Sequence, residues 1–241
     1  MSSISYENYG ILAESLSDHT RVAGRYECQR EAEKRILVDV VHKLALSPRD
    51  RLLEIGCGTG NLLIPLSFIV REVTGVDHPS CVSAFSKRFH ADSITLIGMN
   101  FFDCQNDALG SFDKILIYSV LHYLSEDELI LFVDKALSLL LPGGKMLLGD
   151  LPNVSRKERF LSSKEGKDFA AEWDKKMGQA GDKNNRTSVR QEDRDTVVFN
   201  DATMLSLLGH IRKEGFHAYI LPQPGSLPFG HTREDILIER L

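Results

Sequence analysis

Leu52-Leu53-Glu54-Ile55-Gly56-Cys57-Gly58-Thr59-Gly60-Asn61 is a short apolar run that breaks into alternating glycines and then resumes as an apolar segment, NLLIPLSFI. It reads as a strand, a tight turn and a helix. Glycines let the backbone bend sharply and bring its amides close to a ligand. Outward from this point the chain alternates. REVTGVD is a second strand, HPSCVSAFSKRF a helix with Pro79 suited to its first turn, SITLIG a third strand and FDKILIYSV a fourth. SEDELILFVDKALSLL follows as a helix with a Ser125-to-Glu128 capping box, then a PGG turn and a fifth strand, KMLLGD. Short strands alternating with helices specify a parallel sheet covered on both faces, an α/β fold.

The flanks are less regular. Residues 1–48 are expected to form a helical cap, with a short helix around Ile11, Leu12 and Leu16. A longer amphipathic helix is expected from Tyr26 to Leu46, carrying Ile36, Val38, Val40, Val41 and Leu44, before Pro48. Pro65 is expected in the first turns of its helix or at a kink. Residues 154–199 hold eleven basic and nine acidic residues and the only tryptophan, Trp173. They read as a helical lid insertion followed by a loose polar stretch around GDKNNRTS. DATMLSLLGHIRKEGF then gives a helix, HAYIL a strand and DILIERL a last strand after a Pro/Gly-rich loop.

The chain has 241 residues, with 29 basic and 34 acidic, a formal charge of -5. That length suits one substantial core, a single domain over 1–241. The mild acidity does not favour non-specific nucleic-acid binding, and no apolar run approaches the roughly 20 residues of a membrane helix. Four widely spaced cysteines without CxxC suggest neither a zinc site nor a disulfide framework, and a cytoplasmic setting is expected. His210 and His217 form no metal set, and no carboxylate pair has the spacing to hold a catalytic cation, so no metal is expected.

The second strand ends in Asp77, seventeen residues past Gly60, where a carboxylate can accept from a ribose diol. A dinucleotide fingerprint wants glycine at its sixth position, where this chain has Asn61. Glu54, just ahead of the turn, disfavours a pyrophosphate and suits a cationic ligand.

Five ordered segments resemble the class I S-adenosylmethionine-dependent methyltransferases: LLEIGCGTGN (52–61), VTGVD (73–77), LIGMNFFD (96–103), FDKILIYSVLHYL (112–124) and LLPGGKMLLGD (140–150). The resemblance implies a Rossmann-like open sheet of order 3-2-1-4-5-7-6, mostly parallel with an antiparallel last strand. It implies S-adenosylmethionine as cofactor and S-adenosylhomocysteine as product. Gly56, Cys57, Gly58 and Gly60 are expected to cradle the methionine part and the ribose, Glu54 to organise that turn and the cofactor's amino group, and Asp77 to accept from the ribose. His78 is expected beside the adenine, Asn100 to accept from the adenine amino group, Phe101 to wall the ring, and Tyr118 and Ser119 to line the methionine end. The chain reads Tyr118-Ser119-Val120-Leu121 where amino-methyltransferases carry Asn/Asp-Pro-Pro-Tyr/Phe, which disfavours adenine-N6 or glutamine-N5 transfer.

His122, a turn past the fourth strand, is the candidate base for an acceptor proton, set against plain packing at that helix start. Asp150, ending the fifth strand, is a candidate for a substrate hydroxyl, and Tyr118 for cofactor or acceptor. Cys57 is expected as a small turn residue. Tyr6, Tyr9, Arg21, Arg25 and Tyr26 are candidates to cover the pocket. Arg156, Lys157, Arg159, Lys164 and Lys167 would either draw an anionic acceptor or form a solvated face with pairs such as Lys164–Asp168, and Phe169 and Trp173 would dock the lid. The expected reaction is methyl transfer to an oxygen of a small polar metabolite or sugar intermediate by a monomer or homodimer. The alternatives are a small-amine N-methyltransferase, a NAD-binding oxidoreductase, a non-catalytic cofactor-binding module and an RNA-modifying enzyme.

Overall fold

Seven strands form one sheet of order 3-2-1-4-5-7-6: β1 Arg51–Ile55, β2 Glu72–Asp77, β3 Ile94–Gly98, β4 Phe112–Tyr118, β5 Leu140–Pro152, β6 His217–Pro222 and β7 Arg233–Glu239. The first five pair in parallel, and β7 lies antiparallel between β5 and β6. The chain is a computed structural model that describes residues 4–179 and 196–241. The helices are α1 Ile4–Ser15, α2 His19–Val22, α3 Arg30–Glu33, α4 Ile36–Leu44, α5 Leu63–Leu66, α6 Pro79–Arg88, α7 Asn106–Leu109, α8 Glu126–Ser138, α9 Val154–Ser162, α10 Lys164–Gln179 and α11 Asp201–Lys213. None of the described helices is long and apolar enough to cross a membrane.

The central strands are largely apolar because both faces are covered. Leu53, Ile55, Ile115, Ile117, Met146 and Leu148 pack with Phe132 and Val133 of α8 and Leu207 and Ile211 of α11. The alternate residues Leu52, Leu116 and Leu147 pack with Ile36, Val40 and Leu44 of α4 and Phe85 of α6. Each such side chain contributes about 1.5–3 kcal/mol when fully buried.

Local chemistry sets the helix ends. The Ser125 hydroxyl accepts from Glu128 N while Glu128 Oε2 accepts from Ser125 N, the reciprocal box expected at the start of α8. Pro79 opens α6, and the His78 ring accepts from Ser80 N as its N-cap. Asn153 and Asn200 cap α9 and α11.

Three expectations are corrected. The helix anticipated over Tyr26–Leu46 is a 3-10 turn at Glu27–Gln29, then α3, then α4. Within α4 the buried stripe is Ile36, Val40 and Leu44, and Val38 is 69% exposed. The segment after the glycine turn makes only the four-residue α5, with Pro65 in its first turn, where the missing N–H has no partner to lose. The PGG segment is absorbed into β5, where Gly143 N donates to Arg240 O beyond the end of β7.

The insertion forms α9 and α10, whereas GDKNNRTS lies outside the described residues. Phe160 stacks on His231 at 4.5 Å, and Phe169 meets the same ring edge-on at 5.0 Å. Trp173 lies 6.2 Å from Phe169 and 5.7 Å from Tyr26. These contacts pack the insertion on the loop before β7 and on the N-terminal segment. The ion pair on α10 joins Lys176 to Glu172, and Lys164 makes none with Asp168 among the described residues. Arg156 and Arg159 pair with Glu234 and Asp201.

Candidate active site

The carboxyl ends of β1, β2, β3 and β4 open on a cleft of about 870 Å³, roofed by α1, α2 and α3. Its wall gathers Glu54, Gly56, Cys57, Gly58, Asp77, Asn100, Phe101, Tyr118 and Ser119, among others. Strand order brings these residues together: β1 sits between β2 and β4, where the crossovers diverge to opposite sides.

The turn after β1 is pinned from several sides. Gly56 N donates to Val76 O at 2.8 Å, and Gly58 N donates to Asp77 Oδ2 at 2.6 Å. Gly60 has φ +89°, and a Cβ there would stand 2.4 Å from the Phe85 ring, so glycine is needed for packing behind the cleft wall. Gly58 differs. Its φ is +53°, and a Cβ there would meet nothing within 4 Å. Arg88 Nη1 also donates to Asn61 Oδ1 at 2.8 Å, bracing the far side of the turn.

Two carboxyl groups face this turn. Asp77 Oδ1 accepts from His78 N at 2.6 Å while Oδ2 holds Gly58. Burial raises its pKa against those backbone donors. Glu54 is 3% exposed, and its Oε2 meets no donor among the described residues. Burial first, and then the Asp77 charge, push its carboxyl well above the ordinary range. An unsatisfied buried carboxyl is costly, and a bound cation would relieve it. Burial likewise pushes the Cys57 thiol well up, which keeps it protonated.

At the opposite end Phe101 lies 4.9 Å from Phe132, and Lys135 Nζ donates to the carbonyls of Phe101, Phe102 and Cys104 at 2.7, 3.0 and 2.6 Å. That clamp holds the loop after β3 against the cleft. Tyr6 and Tyr9 of α1 line the wall, and the Tyr9 and Tyr123 hydroxyls share a 2.6 Å hydrogen bond that ties α1 to the segment after β4.

Four residues expected at the site are placed as follows. His78 is not in the cleft wall. Its ring caps α6, lies 4.8 Å from Tyr6 and sits against Gly10, so Tyr6 takes the wall position instead. Asn100 is in the wall, and its Oδ1 accepts from Phe102 N at 3.0 Å as the cap of the following turn, which leaves the oxygen's second lone pair. His122 is not in the wall; its ring lies 4.1 Å from Tyr123, and its charge acts on Asp150. Asp150, 2% exposed, is also absent from the wall. Arg25 Nη2 donates to its Oδ2 at 2.9 Å, and Arg233 Nε stands 3.7 Å from Oδ1. The two guanidinium groups hold its carboxyl below the usual range despite burial.

Asp150 belongs to a buried polar cluster that sequence spacing did not announce. Its N–H donates to Asp235 Oδ1 at 2.9 Å, and Lys43 Nζ donates to Asp235 and to Asp39, each at 2.6 Å. Gln223 Nε2 donates both to Asp235 Oδ1 at 2.9 Å and to the Tyr118 hydroxyl at 3.2 Å. Arg25 was anticipated only as one of several groups covering the pocket. His19 of α2 was not singled out, yet it lines the cleft, and its Nδ1 is buried without a partner among the described residues. Burial and the Arg88 charge lower its pKa, which keeps the imidazole neutral near pH 7. No periodicity marks either residue, because both are carried by short irregular segments.

Residues 52–144 match a family model described as a methyltransferase domain. Chondramide synthase of Chondromyces crocatus is 33% identical over 140 residues, covering 55% of this chain and 4% of that protein. A ubiquinone biosynthesis O-methyltransferase of Nitrobacter winogradskyi is 34% identical over 103 residues, covering 42% of this chain and 38% of that protein. The chain thus spans well under half the length of these curated relatives. Among solved structures, phosphoethanolamine N-methyltransferase 1 of Haemonchus contortus, in complex with phosphoethanolamine and S-adenosylhomocysteine, superposes with a TM-score of 0.68. It is 14% identical, over 99% of this chain and 49% of that one, a likeness of fold.

Proposed function

We propose that this chain, which carries the fold and the 52–144 domain of the class I S-adenosylmethionine-dependent methyltransferases, transfers a methyl group from S-adenosylmethionine to an oxygen of a small polar molecule. The observation that carries the reading is Glu54. Its carboxyl is buried, its Oε2 lacks a donor among the described residues, and it stands beside a glycine turn that Asp77 holds. A ligand with a cationic amino group and a ribose diol satisfies both carboxylates, whereas a pyrophosphate would be repelled by Glu54.

The residues present fit that cofactor. Glu54 would hold its ammonium, Asp77 its ribose hydroxyls and Phe101 its adenine, while open space at Gly58 would leave room for its chain. S-adenosylmethionine, when bound, supplies an activated methyl on a sulfonium. The protein's task is then alignment and exclusion of water. The tyrosine pair Tyr9–Tyr123 closes the roof, and Tyr118 and Ser119 floor the β4 end. An oxygen acceptor must lose a proton, and the cleft wall offers the neutral imidazole of His19 to receive it.

A small-amine N-methyltransferase is the second reading. It is favoured by the position of His122 outside the wall, since an unprotonated amine needs little help from a base. The cavity of about 870 Å³ lies within the range of small-ligand sites and leaves room beside a cofactor for a small acceptor. The test is incubation with methyl-labelled S-adenosylmethionine and paired sets of small alcohols and amines. Label on an alcohol oxygen supports the first reading, label on amines alone the second. Binding of NAD without binding of S-adenosylhomocysteine overturns both.

A further inference from the structure

The helix α1 is fastened to the molecule apart from the two cores that flank the sheet. None of its described residues belongs to either core; Ala13 packs instead in a small satellite with Val22 and Cys81, and Ile11 is 61% exposed. Polar contacts supply the remaining attachment. Ser80 Oγ donates to Glu14 Oε1 at 2.6 Å, Cys81 Sγ donates to Tyr9 O at 3.8 Å, and the Tyr9 and Tyr123 hydroxyls share their bond across the cleft. Elements with few buried apolar contacts open at lower free energy than the core they sit on. This lightly held helix is nevertheless part of the cleft's roof.

Two residues of α1 are fitted to that position. Tyr6 lines the cleft wall, its ring edge-on to His78 at 4.8 Å. Burial, and then the Asp77 charge, raise its phenol, so the hydroxyl stays protonated at the end of the cleft where Asp77 would take the ribose. Gly10 sits where a Cβ would stand 2.3 Å from the His78 ring. That ring cannot swing aside cheaply, because its Nδ1 accepts from Ser80 N as the cap of α6. Glycine inside a helix is normally unfavourable relative to alanine. At position 10 it is the close approach of α1 to the cleft edge that requires it.

We propose that Tyr6 is a cofactor-binding residue, its ring laid over the nucleoside, and that α1 is a clasp that lifts to admit the cofactor and is locked down by it. The inference rests on the methyl-transfer reading for the identity of that nucleoside. Phe101 covers the adenosine from the loop after β3 and Tyr6 covers it from the cap. The Tyr9–Tyr123 pair holds the clasp shut toward the β4 end. A ligand that binds only the closed form makes opening rarer by the factor 1 + [L]/Kd.

The test is amide hydrogen exchange of the full chain, read over α1 with and without S-adenosylhomocysteine at about a hundred times its Kd. Exchange in α1 is expected to slow at least about tenfold, toward the roughly hundredfold limit of that factor. Saturating adenosine is expected to slow it as well, and methionine to leave it unchanged. The helix α10 contributes nothing to the cleft wall among the described residues and is expected to exchange as before. In calorimetric titration Tyr6→Ala is expected to weaken S-adenosylhomocysteine about tenfold, the effect of removing one aromatic ring from a base, and Tyr6→Phe, which keeps the ring, less than about threefold. Gly10→Ala introduces the better helix former, yet it is expected to speed α1 exchange and to weaken S-adenosylhomocysteine, because the clasp is held off His78. S-adenosylhomocysteine that binds but leaves α1 exchange unchanged, that slows α10 as much as α1, or that binds Tyr6→Ala within about twofold of wild type overturns the clasp and leaves the methyl-transfer reading standing. Failure of S-adenosylhomocysteine to bind the wild type overturns that reading, and the clasp with it.

Discussion

Replacing Glu54 with glutamine separates what the cleft costs the fold from what it binds. The carboxyl is 3% exposed, its Oε2 has no donor among the described residues, and burial followed by the Asp77 charge raises its pKa well above the ordinary value. The unfolded chain releases this proton near the ordinary carboxyl value, whereas the folded chain holds it to higher pH. Between those two values the folded state binds more protons, so stability falls as pH rises through the window. Above the folded value the full cost of the ionised group is present. An unsatisfied buried polar group costs about 1–3 kcal/mol, and a charged one more. Glu54→Gln keeps the shape and removes the charge, so without cofactor it is expected to stabilise the chain by about 1–3 kcal/mol at alkaline pH and by almost nothing in acid. At about 2–4 °C per kcal/mol for a chain of this size, Tm rises by about 2–12 °C. The same change removes the counter-charge for an ammonium group and weakens S-adenosylhomocysteine by about tenfold or more. Wild-type affinity is expected to rise with pH through the titration of Glu54, and that of the variant to stay flat. Thermal melts from pH 4 to 9 with parallel calorimetry measure both. An unchanged or lower Tm at alkaline pH, or affinity within twofold of wild type, refutes the reasoning.

Other perturbations divide site from scaffold. Gly58→Ala places a Cβ in open space at φ +53°, so it is expected to cost about 1–2 kcal/mol of stability while sharply weakening S-adenosylhomocysteine, measured by melts and titration. Gly60→Ala drives a Cβ to 2.4 Å from Phe85 and is expected to lower Tm first, with overpacking of about 1–3 kcal/mol added to the backbone cost. Asp150→Asn leaves two buried guanidinium groups without their carboxylate and is expected to lose about 3–5 kcal/mol in denaturant melts. In the wild type that carboxyl is held below its unfolded value, so its contribution is present above the ordinary carboxyl pKa and disappears as acid protonates it. His19→Ala is expected to flatten the pH–rate profile for an oxygen acceptor, whereas His122→Ala leaves its shape unchanged; the reverse pattern restores His122 as the base.

The sheet was legible because each of its determinants is local. Apolar runs bounded by glycine and proline gave the strands, the Ser125–Glu128 box gave the start of α8, and the family resemblance implied the order 3-2-1-4-5-7-6 that the strands adopt. Glu54, Asp77, Phe101, Tyr118 and Ser119 share one cleft because each follows or ends a neighbouring strand. The misreadings have nonlocal causes. His78, expected beside a ligand, turns its ring to cap α6 and lies outside the cleft wall, whereas Asn100 caps the turn after β3 and remains in the wall. Asp150 reads in sequence as an acid at a strand end, a candidate for a substrate hydroxyl. It is buried because Arg25, 125 residues away in sequence, reaches it. The stretch from Tyr26 to Leu46 was read as one amphipathic helix from its apolar spacing, but Val38 faces out and the chain breaks into a 3-10 turn, α3 and α4, with Gln29 buried. Gln29 Nε2 donates to Pro228 O at 2.6 Å, another contact no local pattern announces.

The central claim is that the glycine turn and Asp77 grip opposite parts of a sulfonium nucleoside. Titration of S-adenosylhomocysteine into the wild type and into Asp77→Ala tests it most directly, with NAD as the control ligand. The account predicts one site per chain in the wild type, at least about tenfold weaker binding once the ribose acceptor is removed, and no comparable binding of NAD. Equal affinity in the two proteins, or tight NAD binding with no heat from S-adenosylhomocysteine, would contradict it.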